Sequence, residues 1–163
     1  MKKINFILLF MLISMMAFSQ DCDKINVDML KGTINGLLPS ASQEEVKKVF
    51  PCFSASTPDG STTNCGGGVF YKNQSFFFYT GKDNINIRKG FKGICSIEIL
   101  GKTEKEAIIL LGKPEGDITD DDGARFVFFK QSYGCIVIGF DDAGKIDEFY
   151  LYATPADKVD LCV

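Results

Sequence analysis

Ser42-Gln43-Glu44-Glu45-Val46-Lys47-Lys48-Val49-Phe50-Pro51 has a counterpart further along the chain, Thr103-Glu104-Lys105-Glu106-Ala107-Ile108-Ile109-Leu110-Leu111-Gly112. Each opens on Ser or Thr with Glu three residues later. That is a capping box, in which the hydroxyl and the carboxylate each satisfy a free backbone N–H at a helix start. Apolar residues follow at Val46, Val49 and Phe50, and at Ala107, Leu110 and Leu111, a spacing that puts them on one helical face. Pro51 and Gly112 then stop the helices.

Outward from the helices the order repeats. A polar, turn-rich segment follows each one, residues 54–68 and 113–123. Strand-like runs come next: residues 69–75 resemble 127–132, and after them lie 76–79 and 135–140. A third run closes each half, 94–99 and 146–151, and Asp141-Asp142-Ala143-Gly144 reads as a hairpin turn. The expected fold is α+β, with two tandem repeats, each a capped helix followed by an antiparallel β-sheet. Repeat one spans about 24–100, repeat two about 101–155, and residues 156–163 form a C-terminal tail. A further helix is expected from Ile25 to Leu38 on the spacing of Ile25, Met29, Leu30 and Ile34, against Gly32 and Gly36. Residues 81–93 read as a long hairpin loop or an extra edge strand.

The N-terminus carries an export signal. Lys2 and Lys3 precede an apolar run from Ile4 to Phe18, and Ala17 and Ser19 are small residues at the −3 and −1 positions. The run is short for a membrane span of about 20 residues and meets polar sequence at once. Residues 1–19 are therefore expected to be removed, leaving 20–163 as a single periplasmic or secreted domain. The chain carries 18 Lys and Arg against 21 Asp and Glu, and two of those lysines lie in the signal. An acidic remainder argues against nucleic acid as a partner. No later apolar stretch is long enough to cross a bilayer.

All six cysteines, Cys22, Cys52, Cys65, Cys95, Cys135 and Cys162, follow the signal. An even number in an exported chain implies disulfides, though the count does not fix their connectivity. Cys52 with Cys65 is the local pairing, across a Ser-, Thr-, Pro- and Gly-containing loop. Cys22 with Cys162 would tie the termini, and Cys95 with Cys135 would link two strands. Histidine is absent from the chain, and there is no Cys-x-x-Cys pair. Zinc and the usual Ser/His and Cys/His hydrolytic arrangements are accordingly not expected, and no catalytic residue or cofactor is assigned. The acidic stretch 115–123 fails the EF-hand spacing, since Ile118 and Phe129 would fall at ligand positions, and reads as a solvated loop. Gly66-Gly67-Gly68 leads into a strand with no helix start to hold an anion, so it reads as turn glycine.

The order of elements, together with Cys52 and Cys65, the Gly112 stop, Tyr133-Gly134 and the hairpin from Phe140-Asp141-Asp142 to Lys145-Ile146, resembles the β-lactamase inhibitory protein family. More broadly it is similar to small outer-membrane assembly lipoproteins with one such unit. The second half departs from the inhibitor pattern, having no cysteine pair around its turn-rich segment. The resemblance implies the fold and a binding surface on a sheet face, without the lactamase target. The residues themselves identify such a face. With Lys130 towards solvent, strand alternation brings Phe126 and Phe128 to the same side, and Phe70 with Lys72 matches them in the first half. Glu148 likewise shares a side with Tyr150 and Tyr152. The alternative is that these rings pack against the other repeat or under a loop. The expected function is a non-catalytic protein-binding domain, an inhibitor or immunity protein that occludes a toxin or enzyme of the cell envelope. An envelope assembly or chaperone-like accessory factor is the second reading.

Overall fold

A computed structural model describes Cys22 and residues 24–62 and 65–161. The signal segment and Cys162 lie outside the described residues. Both capping boxes form. Ser42 caps α1 (Gln43–Val49) and Thr103 caps α2 (Glu104–Leu111), with Glu45 and Glu106 bonding back to the cap N–H groups at 2.9 and 2.8 Å. Those backbone bonds hold both carboxyls below their ordinary range. Of the expected apolar face of α2, Ala107 is buried and Leu111 partly so, whereas Leu110 is exposed.

The strands do not form one sheet per repeat, and this overturns the expected architecture. Eight of them merge into a single sheet. β3 (Ala55–Thr57), β4 (Gly68–Tyr71), β5 (Phe76–Tyr79) and β6 (Asn84–Arg88) run as one antiparallel meander. β8 (Gly116–Thr119), β9 (Arg125–Gln131), β10 (Gly134–Phe140) and β11 (Ile146–Tyr152) run as another. The last strands of the two, β6 and β11, pair with each other, giving the order β3-β4-β5-β6-β11-β10-β9-β8. Joining them satisfies one open edge from each meander. A separate small sheet combines β1 (Asn26–Asp28), β2 (Thr33–Ile34) and β7 (Ile94–Cys95), with β7 parallel to β1. It has no counterpart in the second half, so the chain is not two tandem helix-plus-sheet units.

Three local expectations change with it. The helix expected over 25–38 is instead the β1–β2 turn. Asn35, Gly32 and Gly36 all have positive φ, and a Cβ on Gly32 would lie 2.3 Å from the Tyr133 ring. The run 94–99 contributes only two strand residues, to the small sheet. Residues 81–93 contain β6, which is central in the sheet and neither a loop nor an edge.

Alternation divides the large sheet into two faces. Tyr71, Phe76, Phe78, Ile85, Ile87, Phe129, Ile136, Ile138, Phe149 and Leu151 belong to the main core, with Val46 and Phe50 of α1, Ala107 of α2, and Val27, Met29 and Ile34 of the small-sheet segment. Phe50 meets Tyr71 and Phe76 edge-on at 5.7 and 5.4 Å, and the Tyr71 hydroxyl donates to the Phe50 carbonyl at 2.8 Å. A disulfide joins Cys22, before β1, to Cys52, just after α1, with the Cα atoms 5.9 Å apart. It clips the small-sheet arm to the helix. The expected pairings of Cys52 with Cys65 and of Cys22 with Cys162 are thereby replaced, although Cys65 is also disulfide-bonded. Cys95 and Cys135 are free thiols rather than partners. The reason is positional: Cys95 packs against the main core, whereas Cys135 belongs to the cluster on the opposite side of the sheet.

Candidate protein-binding face

The opposite side of the sheet carries the residues expected to bind a partner. Reading across the register, Ala55, Phe70, Phe77, Asn86, Tyr150, Val137 and Phe128 form one row over seven strands. A neighbouring row places Arg88 opposite Glu148, and Glu148 opposite Gly139, which faces Phe126. Asn84 and Tyr152 face each other in a third, with Cys135 and Lys130 beyond. Phe70, Phe126, Phe128, Lys130, Glu148, Tyr150 and Tyr152 therefore do share one face. Lys72 does not: β4 ends at Tyr71, and Lys72 begins a 3-10 turn.

Sharing a face is not the same as being exposed on it. Phe126, Phe128, Tyr150 and Tyr152 retain 2, 5, 0 and 1 % of their surface. Together with Cys135 and Val137 they make a second core, against which Ala156, Val159 and Leu161 of the C-terminal tail pack. The tail is fastened across this half of the face: the Tyr152 hydroxyl donates to the Asp160 carbonyl at 3.3 Å, and Lys82 pairs with the Asp160 carboxylate. The reading that placed these rings under another segment describes this half.

The other half is open. Phe70, Phe77 and Tyr79 are each partly exposed and pack as a group, with ring centroids 5.7 to 6.3 Å apart. Arg88 lies over the Phe77 ring, 5.0 Å from its centroid. A polar cluster marks the seam between open and covered halves. The Arg88 Nε donates to Asn86 Oδ1 at 2.6 Å and lies 3.1 Å from Glu148 Oε2, and Asn86 Nδ2 donates to the same carboxylate at 3.0 Å. Burial is the largest single influence on Arg88 and opposes its charge, but Glu148, Tyr150 and Tyr79 together outweigh it and keep the guanidinium protonated. Burial pushes the Tyr79 and Tyr150 hydroxyls upward, so neither is poised to exchange a proton near neutrality. The Tyr150 hydroxyl lies against Arg88 and Glu148 without a well-formed hydrogen bond, and the wholly buried Asn84 amide has no partner among the described residues. The arrangement offers aromatic contact, one directed cation and hydrogen-bonding groups, which suit recognition.

Phe77, Tyr79, Asn86 and Arg88 are the residues that reasoning from sequence missed. The run Phe76-Phe77-Phe78-Tyr79 is aromatic on both sides, so its alternation is silent, and Asn86 and Arg88 sit in the segment read as a hairpin loop or an extra edge strand. The alternation of Asn84-Ile85-Asn86-Ile87 was the available signal. The acidic stretch forms the end of a hairpin: Asp120 Oδ1 accepts from the Asp122 and Ala124 N–H groups at 3.1 and 2.7 Å, and Asp117 pairs with Arg125 at 2.7 Å. Gly67 has φ +123°, and an added Cβ would meet the Pro58 carbonyl at 2.4 Å, in keeping with turn glycine. Comparison with family profiles, curated proteins and solved structures finds no match, so this face is read on its own geometry.

Among the described residues, no helix is long and apolar enough to cross a membrane. That and the Cys22–Cys52 bond are compatible with an exported protein.

Proposed function

We propose that this chain is an exported, non-catalytic protein-binding domain that docks through the open half of its aromatic sheet face. It would occlude a periplasmic or secreted protein in the manner of an inhibitor or immunity protein. The observation that carries this reading is the group Phe70, Phe77 and Tyr79, left partly exposed beside Arg88 while the equally large rings on the covered half are buried. Aromatic and Arg side chains on a rigid scaffold are what interface anchors are made of, because they bury large areas with few rotatable bonds to fix. The Asn86–Arg88–Glu148 cluster would supply orientation at the edge of that contact.

Affinity capture from envelope and culture-medium extracts tests it, with the oxidised protein as bait and Phe77→Ser/Tyr79→Ser as the control. Both side chains are only half-buried, so the control is expected to fold, which its melting curve would verify. One stoichiometric partner, present with the first bait and lost with the control, is the expected result. Equal capture by both baits would remove the face from consideration. A dispersed set of outer-membrane proteins would favour the accessory-factor role instead.

A further inference from the structure

β8 ends the large sheet, and among the described residues no strand pairs with its outer side. All four of its residues are exposed. Gly116 and Ile118 oppose Phe128 and Phe126, and the ladder closes with the Asp120 N–H donating to the Ala124 carbonyl at 2.9 Å. Hydrogen-bonded pairs alternate along an antiparallel ladder. Gly116, Ile118 and Asp120 therefore bond inward, and the N–H and C=O groups of Asp117 and Thr119 point out of the sheet. The opposite edge differs: there α1 is held to β3 by Gln43, which donates to the Thr57 carbonyl at 2.7 Å.

Beside β8 runs an open groove of about 700 Å³ between the strand and the C-terminal tail. Ile118, Phe128 and Val159 supply apolar wall, and Glu115 and Asp157 supply carboxylates, with no basic residue in the lining. Lys130 and Arg125 reach Glu115 and Asp117 from the flank, at 3.5 and 2.7 Å. Asp157, and Asp121 and Asp122 at the hairpin tip, make no ion pair among the described residues. A second copy of this chain is a poor occupant, because two β8 edges would bring these carboxylates together. A cationic strand has the opposite balance.

We propose that the outer edge of β8 is a strand-addition site for an extended, cationic segment of a partner protein. Its main chain would bond Asp117 and Thr119, and alternate apolar side chains would enter the groove over Ile118 and Val159. Lysine or arginine side chains would lie beside Asp157 and the hairpin tip. The site is at the opposite end of the sheet from Phe70, Phe77 and Tyr79, so either surface can fail without the other.

The probe is a short, end-blocked peptide of alternating lysine and valine, titrated into the ¹⁵N-labelled oxidised protein. Shifts are expected on β8 and the tail, with slowed exchange of the Asp117 and Thr119 amides. N-methylating one alternate set of peptide amides should weaken binding at least about tenfold and the other set much less, because only one set faces β8. Thr119→Pro should match the damaging set, since it removes an outward N–H that the sheet does not use. The peptide variants keep the test decisive should the proline variant misfold. The proposal is overturned by no binding, by shifts centred elsewhere, by indifference to both methylation patterns, or by β8-dependent dimerisation that excludes the peptide.

Discussion

The two faces of the eight-stranded sheet have similar aromatic content and different fates. The core side is roofed over β4 to β6 and β9 to β11 by α1, α2 and the small β1-β2-β7 sheet, and its large side chains there are buried. On the other side the tail packs over β9 to β11 and Asn84 and Asn86 of β6 are also buried, but Phe70, Phe77 and Tyr79 on β4 and β5 stay partly in solvent. What makes a ring core or surface here is the cover that a remote segment supplies. A tail that reaches half of a face leaves the remainder partly in solvent.

The sharpest test of that difference is a pair of matched truncations. Phe149→Ala on the fully roofed side should lower the unfolding free energy by about 3–5 kcal/mol, because it removes a buried ring and leaves a cavity. Phe77→Ala on the open half should cost less, about 1–2 kcal/mol, since the ring is already partly in water. Urea denaturation of the two variants measures both, and similar losses would mean the faces are equally covered. The Cys22–Cys52 bond offers the next largest effect. It closes a 30-residue separation and ties the arm that leads into β1 to the end of α1. Cys22→Ser/Cys52→Ser should destabilise by about 3–4 kcal/mol on loop-closure grounds. Hydrogen exchange should then quicken in β1, β2 and α1, all on the roofed side, and far less in β9 and β10.

Features set by neighbouring residues were legible in the sequence, and features set by distant ones were not. The capping boxes at Ser42/Glu45 and Thr103/Glu106 are three-residue chemistry and formed as read. Strand alternation grouped Phe126 and Phe128 with Lys130 within β9, and Tyr150 and Tyr152 with Glu148 within β11, because a side-chain period of two needs no tertiary information; that the two groups share one face follows from the pairing through β10. Burial of those rings depends on Val159 and Leu161 folding back over them, which no local pattern signals. The β6–β11 pairing, which makes one sheet from two meanders, is likewise remote, and β6 was hidden among turn residues such as Gly81, Asp83 and Gly90. Between Ile25 and Leu38 the apolar spacing was helical, but Gly32 is needed under the Tyr133 ring, a contact made across the fold.

The two free thiols give the finest comparison, since each reports on one side of the sheet. Cys95 packs against the main core and Cys135 lies in the second core. Burial pushes the first thiol up to about 11 and the second up to about 12, from an ordinary value near 9.0. The fold thus favours the neutral thiols. Their contribution to stability is complete below pH 9 and is lost as pH rises from there through 11 and 12. Both should react slowly with a thiol reagent at pH 8, because the thiolate is the nucleophile and burial disfavours it; Cys135 is also closed off by its buried position, whereas Cys95 is partly exposed. Val159→Asp sets a carboxylate in the tail that packs over the second core, and should destabilise the tail's hold by about 1–2 kcal/mol. Cys135 should then label faster while Cys95 keeps its rate. Equal acceleration of both thiols would mean that the tail supports the whole domain. No acceleration at all would mean that Cys135 is sealed by the sheet rather than by Val159, and the cover of this half would have to be assigned to other tail residues.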